Sequence, residues 1–413
     1  MKRLFFKIGL IGLLLRLVLM PISAHPDIWS LDIGRFFFVK EGVFDIYRFL
    51  SPDYPDRISL ANYGYNFYTY PPLTYFTLGL AGKLLSPFYQ ADLTQSILAN
   101  YPRIFHLPGI KKHLFLLKLP YLFFDLGILW CLTQLFDSGK QKKRVFWLWV
   151  FNPLSFYSAY LVGQFELIPL FFVVLSLVLA KKGKSEWATV ALGVGGAYKM
   201  FPLFFLPVLA ACMGKEFWQK IKLMILGAVP FFLSIAPFLR STAFRQVVLF
   251  SKQSQKILHS SLPLSGAESI YLFVFVWGLI FLAAWQKADR NEPWFYYLAV
   301  MLAFFSLTHY HPQWFVWLTP FLFIQLVKSD FKQIFLAGFM LASWLIITLF
   351  FESSLNYGLF VPLKPSLWEA PSLAVSWGCF YDIFQLKSIL RSLFAAASLV
   401  LVLASFNWQD EKN

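Results

Sequence analysis

Apolar runs recur along almost the whole chain, near residues 4–22, 113–136, 145–162, 165–180, 187–213, 222–239, 268–285, 294–308, 312–327, 333–351 and 389–405. A helix needs about 20 residues to cross roughly 30 Å of hydrocarbon. Backbone polar groups inside lipid must be satisfied within the segment, which favours helices. Of the 413 residues, 58% are hydrophobic and 14% charged, against about 25% charged in soluble domains. That balance excludes an ordinary soluble enzyme and a disordered chain. Aromatic residues make up 20%, which suits belts at the membrane interface. The expected fold is all-α: a polytopic integral membrane protein with about 11–12 transmembrane helices.

The 36 basic and 21 acidic residues give a net charge of +15. In a soluble protein such an excess would suggest nucleic acid. Here the basic residues fill short connectors: Lys140/Lys142/Lys143/Arg144, Lys181/Lys182/Lys184, Lys215/Lys220/Lys222, Lys287/Arg290 and Lys328/Lys332. This is the positive-inside pattern, and no nucleic-acid partner is implied. Cys131, Cys212 and Cys379 show no CxxC spacing and imply neither a disulfide framework nor a zinc site. Residues 1–22 could be read as a cleaved leader. Lys7 and Arg16 interrupt the apolar stretch, however, and a retained first helix is the expectation.

Placing every basic connector in the cytoplasm requires an even number of crossings between neighbours. Segments 145–180 and 294–327 must then go out and return, with their midpoints on the extracytoplasmic side. Segment 187–213 is too short for two full crossings and is expected as two half-length helices beneath a water-filled cavity. Polar clusters occupy these three turning points: Gly163-Gln164-Phe165-Glu166, Lys199, and His309-Tyr310-His311-Pro312-Gln313. All three therefore point to one membrane face. The N-terminal basic residues put segment 23–112 on that face as a large first outer loop. Its run 73–87 is expected as a surface helix, and 240–267 and 352–388 as later outer loops.

Asp27 and Asp32 follow the first span directly, on the face where the other clusters converge. Either acid could be a helix N-cap. A carboxylate beside lipid has its charged form disfavoured and gains base strength, so both are candidate catalytic groups. Lys199, between Gly195-Gly196 and Pro202, either faces a cavity anion or snorkels to an interface. Glu166 either shares that role or pairs with Lys199. His309, His311 and Gln313 could bind phosphate or sugar hydroxyls. His-X-His alone is a weak metal signal, so no cofactor is implied, though a divalent ion is compatible. Lys118 and Asp125, seven residues apart on one helix face, read as structural or cavity-lining.

The order of these motifs resembles the GT-C superfamily of membrane glycosyltransferases that use polyprenyl-phosphate sugars. The likeness is greatest to the first mannosyltransferase of glycosylphosphatidylinositol assembly, and looser to the dolichyl-phosphate-glucose-dependent glucosyltransferases. It rests on Asp27, Gly42, Tyr47, Tyr70-Pro71-Pro72-Leu73, Asp125, Asn152-Pro153, Gly163-Gln164-Phe165-Glu166, Lys199-Met200-Phe201-Pro202 and Gln313-Trp314-Phe315-Val316-Trp317. The likeness spans about residues 4–330. The family's Asp-X-Asp is here Asp27-Ile28-Trp29, with the second acid delayed to Asp32, and its Gly-Asn-Ala-acid turn is Gly-Gln-Phe-Glu.

The resemblance implies a catalytic module at 1–330 and a C-terminal unit at 331–413. It implies transfer of a hexose, mannose by its nearest likeness, from a polyprenyl-phosphate donor to a lipid-linked or surface glycan acceptor. The reaction would invert the anomeric centre on the extracytoplasmic face of a cell membrane or an ER-like membrane. Asp27 would be the general base and Asp32 its support or alternate. Tyr70, Gln164, Glu166, Lys199, His309, His311 and Gln313 would bind substrate. Two rivals carry different signatures. A lipid-linked oligosaccharide flippase or other transporter predicts repeats and midplane acids. A surface-glycan polymerase or ligase would use a late outer loop with Arg and His, as in Arg240, Arg245 and His259.

Overall fold

The computed structural model describes residues 2–51, 68–90, 93–100, 103–251, 254–286 and 292–410. The Lys287/Arg290 connector and part of the tyrosine-rich stretch before Tyr70 lie outside them. The described chain is helical as expected, with 76% helix and 2% strand. Among the described residues, four helices are long and apolar enough to cross a membrane: Ile110–Gln134, Gly139–Val162, Phe217–Phe238 and Ile383–Ser405. Shorter apolar helices cover Leu167–Lys181, Phe201–Met213, Leu272–Gln286, Pro293–Leu307 and Ile334–Leu349. The strand content of the described residues is one antiparallel hairpin, Ser261–Ser265 in a stretch expected as loop and Glu268–Tyr271 at the start of the run 268–285 expected as a span, whose helix begins only at Leu272.

The basic connectors among the described residues gather at one end. Lys181 Nζ donates to Asp137 Oδ1 at 2.9 Å and to the Leu135 carbonyl at 3.1 Å. Arg144 pairs with Asp330, Lys328 with Glu292, and Lys222 with Glu186. Lys140 to Arg144 sit inside the first turns of the Gly139–Val150 helix rather than in a loop. Their long stems let charged heads reach water from a helical backbone, and the crossing is correspondingly longer than the apolar run alone.

Each expected turning point has a local cause. Asn152 accepts from the Leu154 N–H at 3.1 Å as an N-cap, and Pro153 occupies the first helical position. The helix then widens into a π-helical segment, Phe156–Val162, and stops at Gly163. Gly163 has φ +85°, and a Cβ there would lie 2.7 Å from Ile28 Cδ1 and 3.0 Å from Lys118 Cε. Only glycine supplies both the left-handed turn and the space, and this turn throws Gln164-Phe165-Glu166 inward.

The second turning point is the expected pair of short helices, Ser185–Gly196 and Leu206–Met213, joined by a 3-10 turn at Phe201–Phe204. Gly193 lets the first of them touch Phe217–Ile235 backbone to backbone, since a Cβ there would lie 1.8 Å from the Gly227 carbonyl oxygen. Small residues at such crossings are how membrane helices approach closely. The carbonyls freed at the break are capped from the long loop that follows the first helix. Leu73 N–H donates to Ala197 O at 3.3 Å and Thr74 Oγ1 to Tyr198 O at 2.9 Å. The Tyr70-Pro71-Pro72 stretch thus starts a helix, Pro72–Leu84, whose orphan donors meet the orphan acceptors of the broken one.

Lys118 and Asp125 are structural. Asp125 accepts from Arg16 Nε at 2.6 Å, Trp149 Nε1 at 2.7 Å and Tyr160 Oη at 2.7 Å. Lys118 Nζ donates to the carbonyls of Ser23 at 2.5 Å and Tyr160 at 2.8 Å. This buried network ties the first helix to Ile110–Gln134 and Gly139–Val162, with every charge or donor met. Residues 331–410 pack onto the same body. Trp344 Nε1 donates to Pro312 O at 2.9 Å, and Tyr157 Oη to Leu355 O at 2.7 Å.

Candidate active site

At the end opposite the paired basic connectors lies a cavity of about 810 Å³. Residues from the first loop, all three turning points and the later loops line it.

Asp27 forms one wall. It occupies the N-cap position of the Ile28–Glu41 helix without capping it, which leaves the side chain 44% exposed and turned to other partners. Gln164 Nε2 donates to its Oδ2 at 3.2 Å, and His25 Nδ1 lies 3.5 Å from the same oxygen. The Tyr70 hydroxyl is 3.3 Å from the Gln164 amide nitrogen. Among the described residues no hydrogen bond reaches Asp27 Oδ1. Burial opposes ionisation of Asp27, but the hydrogen bond and charge of His25, with the field of Lys199, outweigh it. The carboxyl therefore titrates below its ordinary value. Lipid proximity was expected to strengthen this base; its polar neighbours do the reverse and keep it ionised.

Opposite stands Lys199, whose ammonium donates to Glu166 Oε1 at 2.5 Å. Trp317 Nε1 donates to the other carboxylate oxygen at 2.8 Å. Glu166 is fully buried, and its two carboxylate oxygens are met by Lys199 and Trp317. Of the two readings open from sequence, the pair with Lys199 is the one observed. Lys199 also lies over Trp314 and Trp317, 5.0 and 5.1 Å from the ring centroids. Those two rings stack 5.2 Å apart, and Trp317 stacks on Phe201 at 4.0 Å, giving the cavity an aromatic floor.

His311 and Gln313 also line the cavity. Lys256 Nζ donates to His311 Nε2 at 2.7 Å, which requires that nitrogen to be unprotonated. Burial, then Lys256, pushes the His311 pKa down to about 3, so the ring is neutral at physiological pH. Gln313 Oε1 and Trp29 Nε1 are buried without a hydrogen-bond partner among the described residues, and both residues line the cavity. They are an acceptor and a donor that the described fold leaves unmet.

Two sequence candidates are not brought to the cavity. Asp32 is fully buried behind the wall and spent on structure: Arg35 Nε donates to Oδ1 at 2.8 Å, and His113 Nε2 lies 2.8 Å from Oδ2. Thr94 Oγ1 adds a bond at 3.2 Å. Desolvation would raise its pKa, but His113 and Arg35 together hold it far below the carboxylate range. From sequence Asp32 was a catalytic candidate; one and a half turns of helix carry it onto a face that packs rather than one that faces the cavity. His309 stands behind His311, its ring 6.1 Å away, and does not line the cavity.

Sequence reasoning missed Lys256, His25 and Glu352, all of them lining. Lys256 sits in the same late loop as Arg245 but had no motif around it. Arg245 is occupied in its own turn, donating to Leu239 O at 2.7 Å and to Thr242 Oγ1 at 3.2 Å. Among the described residues no three His, Cys, Asp or Glu side chains form a group that could hold a metal ion.

Residues 119–310 match the family described as Glycosyltransferase family 87, which indicates a glycosyltransferase built on membrane helices. The match takes in the Gly163–Glu166 turn, Lys199 and Lys256, and stops short of Asp27, Tyr70, His311 and Gln313. No curated protein matches the chain.

Proposed function

We propose that the chain is an inverting hexosyltransferase that takes its sugar from a polyprenyl-phosphate donor and passes it to a hydroxyl of a lipid-linked or surface glycan on the extracytoplasmic face. The observation that carries this reading is the placement of Asp27: an ionised, partly exposed carboxylate with an oxygen free of hydrogen bonds, facing a cavity whose far side is cationic and aromatic.

In the reaction, Asp27 Oδ1 accepts the proton of the acceptor hydroxyl as that oxygen attacks the anomeric carbon. The bond from the anomeric carbon to the phosphate oxygen breaks on the opposite face, and the lipid phosphate leaves with the electron pair. General-base help of this kind is worth about 10²–10⁴-fold. Gln164, fixed by the Gly163 turn, orients the carboxylate by donating to Oδ2. The leaving phosphate gains charge, and Lys256 is the lining cation able to meet it, since Lys199 is already neutralised by Glu166. Gln313 Oε1 and Trp29 Nε1 suit sugar hydroxyls, which both donate and accept. The stacked tryptophans offer a flat apolar surface to a sugar ring.

The test is transfer from radiolabelled polyprenyl-phosphate mannose, set beside the same carrier bearing glucose, in membranes containing the protein. The reading expects incorporation into a lipid or glycan fraction from one carrier sugar, mannose by the resemblance, and its loss in Asp27→Asn. No transfer from either donor would overturn it.

A further inference from the structure

Four buried or half-buried cations among the described residues have a carboxylate of their own, Arg16 with Asp125, Arg35 with Asp32, Lys199 with Glu166 and Lys328 with Glu292, whereas buried Lys118 and Lys220 are held by backbone carbonyls. At the mouth of the cavity three half-buried cations without a carboxylate lie close together around His309. Lys256 has only the neutral His311 nitrogen and the face of Trp314, 5.4 Å from its centroid. Lys387 donates to the Phe350 carbonyl at 2.5 Å and lies over Phe351. Arg391 reaches the Thr308 carbonyl at 3.4 Å and lies over Tyr310 at 4.7 Å. Among the described residues none of the three has a carboxylate within ion-pair distance.

Lys387 and Arg391 are four residues apart on the Ile383–Asp410 helix and so share one face. His309 stands where the three fields overlap. Burial first, then Lys256, Arg391, His259 and Lys387, bring its pKa to about 4. Glu352 is the acid that faces Lys256 and Lys387, and it is exposed. Beside the patch Trp377, Phe380, Tyr381 and Phe384 are exposed, 58%, 83%, 47% and 79% respectively. A run of exposed aromatics at the start of an apolar helix is the mark of the headgroup level of a membrane.

We infer that this mouth is a second anion site, in which Lys387 and Arg391 seat the phosphate of an anionic lipid entering as acceptor. The donor's phosphate must lie beside the anomeric carbon, within the cavity. Lys387 and Arg391 do not line the cavity, so they read a group outside the reacting centre. The site rests on the transferase reading for the word acceptor, and on geometry alone for lipid phosphate.

Native mass spectrometry of the full chain in detergent tests it, with phosphatidylglycerol, phosphatidylcholine of the same acyl chains and polyprenyl monophosphate as probes. Wild type should retain phosphatidylglycerol over phosphatidylcholine. The double variant Lys387→Gln/Arg391→Gln should lose about tenfold or more of that preference, the loss of one to two charge-assisted bonds. Binding of polyprenyl monophosphate should be unchanged. Lys387→Arg, which keeps the charge, should retain the preference and shows that packing of this helix is not what is measured. An unaltered preference in the double variant, or a loss confined to polyprenyl monophosphate, overturns the assignment. Asp27→Asn should leave lipid retention intact, so the two readings fail separately.

Discussion

Asp27 and Asp32 stand five residues apart at the start of one helix, and the structure gives them opposite surroundings. Asp32 is enclosed, with Arg35, His113 and Thr94 filling its lone pairs. Asp27 keeps 44% of its side chain exposed and one oxygen free of hydrogen bonds. Both are held below the ordinary carboxylate pKa, but for different reasons. Asp32 is ionised because it is fully compensated, whereas Asp27 is ionised because its Gln164 and His25 contacts on Oδ2 and the field of Lys199 outweigh burial while leaving Oδ1 open. A carboxylate with every bond made can only hold a fold together; one with a bond to spare can take a proton.

The largest effect this contrast predicts is on stability. Asp32→Ala strands Arg35 and His113 in the interior and should cost about 3–5 kcal/mol, the usual result of breaking a buried pair. Thermal melts in detergent should show it plainly, with Asp27→Ala nearly neutral; a melt of Asp32→Ala like wild type would break the comparison. The same bond has a pH signature. A folded pKa below the unfolded value of about 3.9 contributes stability above that value, and the contribution drains away as pH falls below it.

Lys199→Ala repeats the experiment across the cavity. It leaves Glu166 buried without its cation, so a loss of about 3 kcal/mol is expected alongside lost turnover. Lys199→Met combined with Glu166→Gln should restore most of the stability and none of the activity. Recovery of both would reduce the pair to packing. Gly163→Ala should be smaller, about 1–3 kcal/mol for a non-glycine residue at φ +85°. It should lower turnover as well, because Gln164 is displaced from Asp27. The smallest effect concerns pH. With Asp27 held below its ordinary value, kcat/KM should stay level from neutral pH down to about 5 and fall only as the pH drops below about 3.9. A descending limb centred near pH 6 would mean a different base.

The sequence made the membrane architecture and the shared face of the polar turns readable, because basic connectors fix the parity of crossings and Gly163, Pro153 and Pro202 punctuate the helices. That parity argument is why Gln164, Lys199 and His311, from three distant segments, were expected together. It had no means of separating Asp27 from Asp32. The difference is made by His113, 81 residues further along, and by which face of a helix packs. Lys256 was equally hidden: a lone lysine in a polar loop shows nothing until the fold sets it against His311. His309 looked equivalent to His311 because residues two apart on extended backbone share a face; the fold sets His311 against the cavity and His309 behind it, a difference of depth that the sequence does not show.

The comparison is tested most directly by single-turnover sugar transfer in purified Asp27→Asn and Asp32→Asn proteins, scored beside donor binding. Asparagine keeps the shape and one acceptor but cannot take the proton. Asp27→Asn should lower the rate at least ~10²-fold with donor binding nearly unchanged, while Asp32→Asn lowers the melting temperature and leaves the rate of the folded fraction close to wild type. Near-normal turnover in Asp27→Asn, or a collapse of rate in folded Asp32→Asn, would contradict the account.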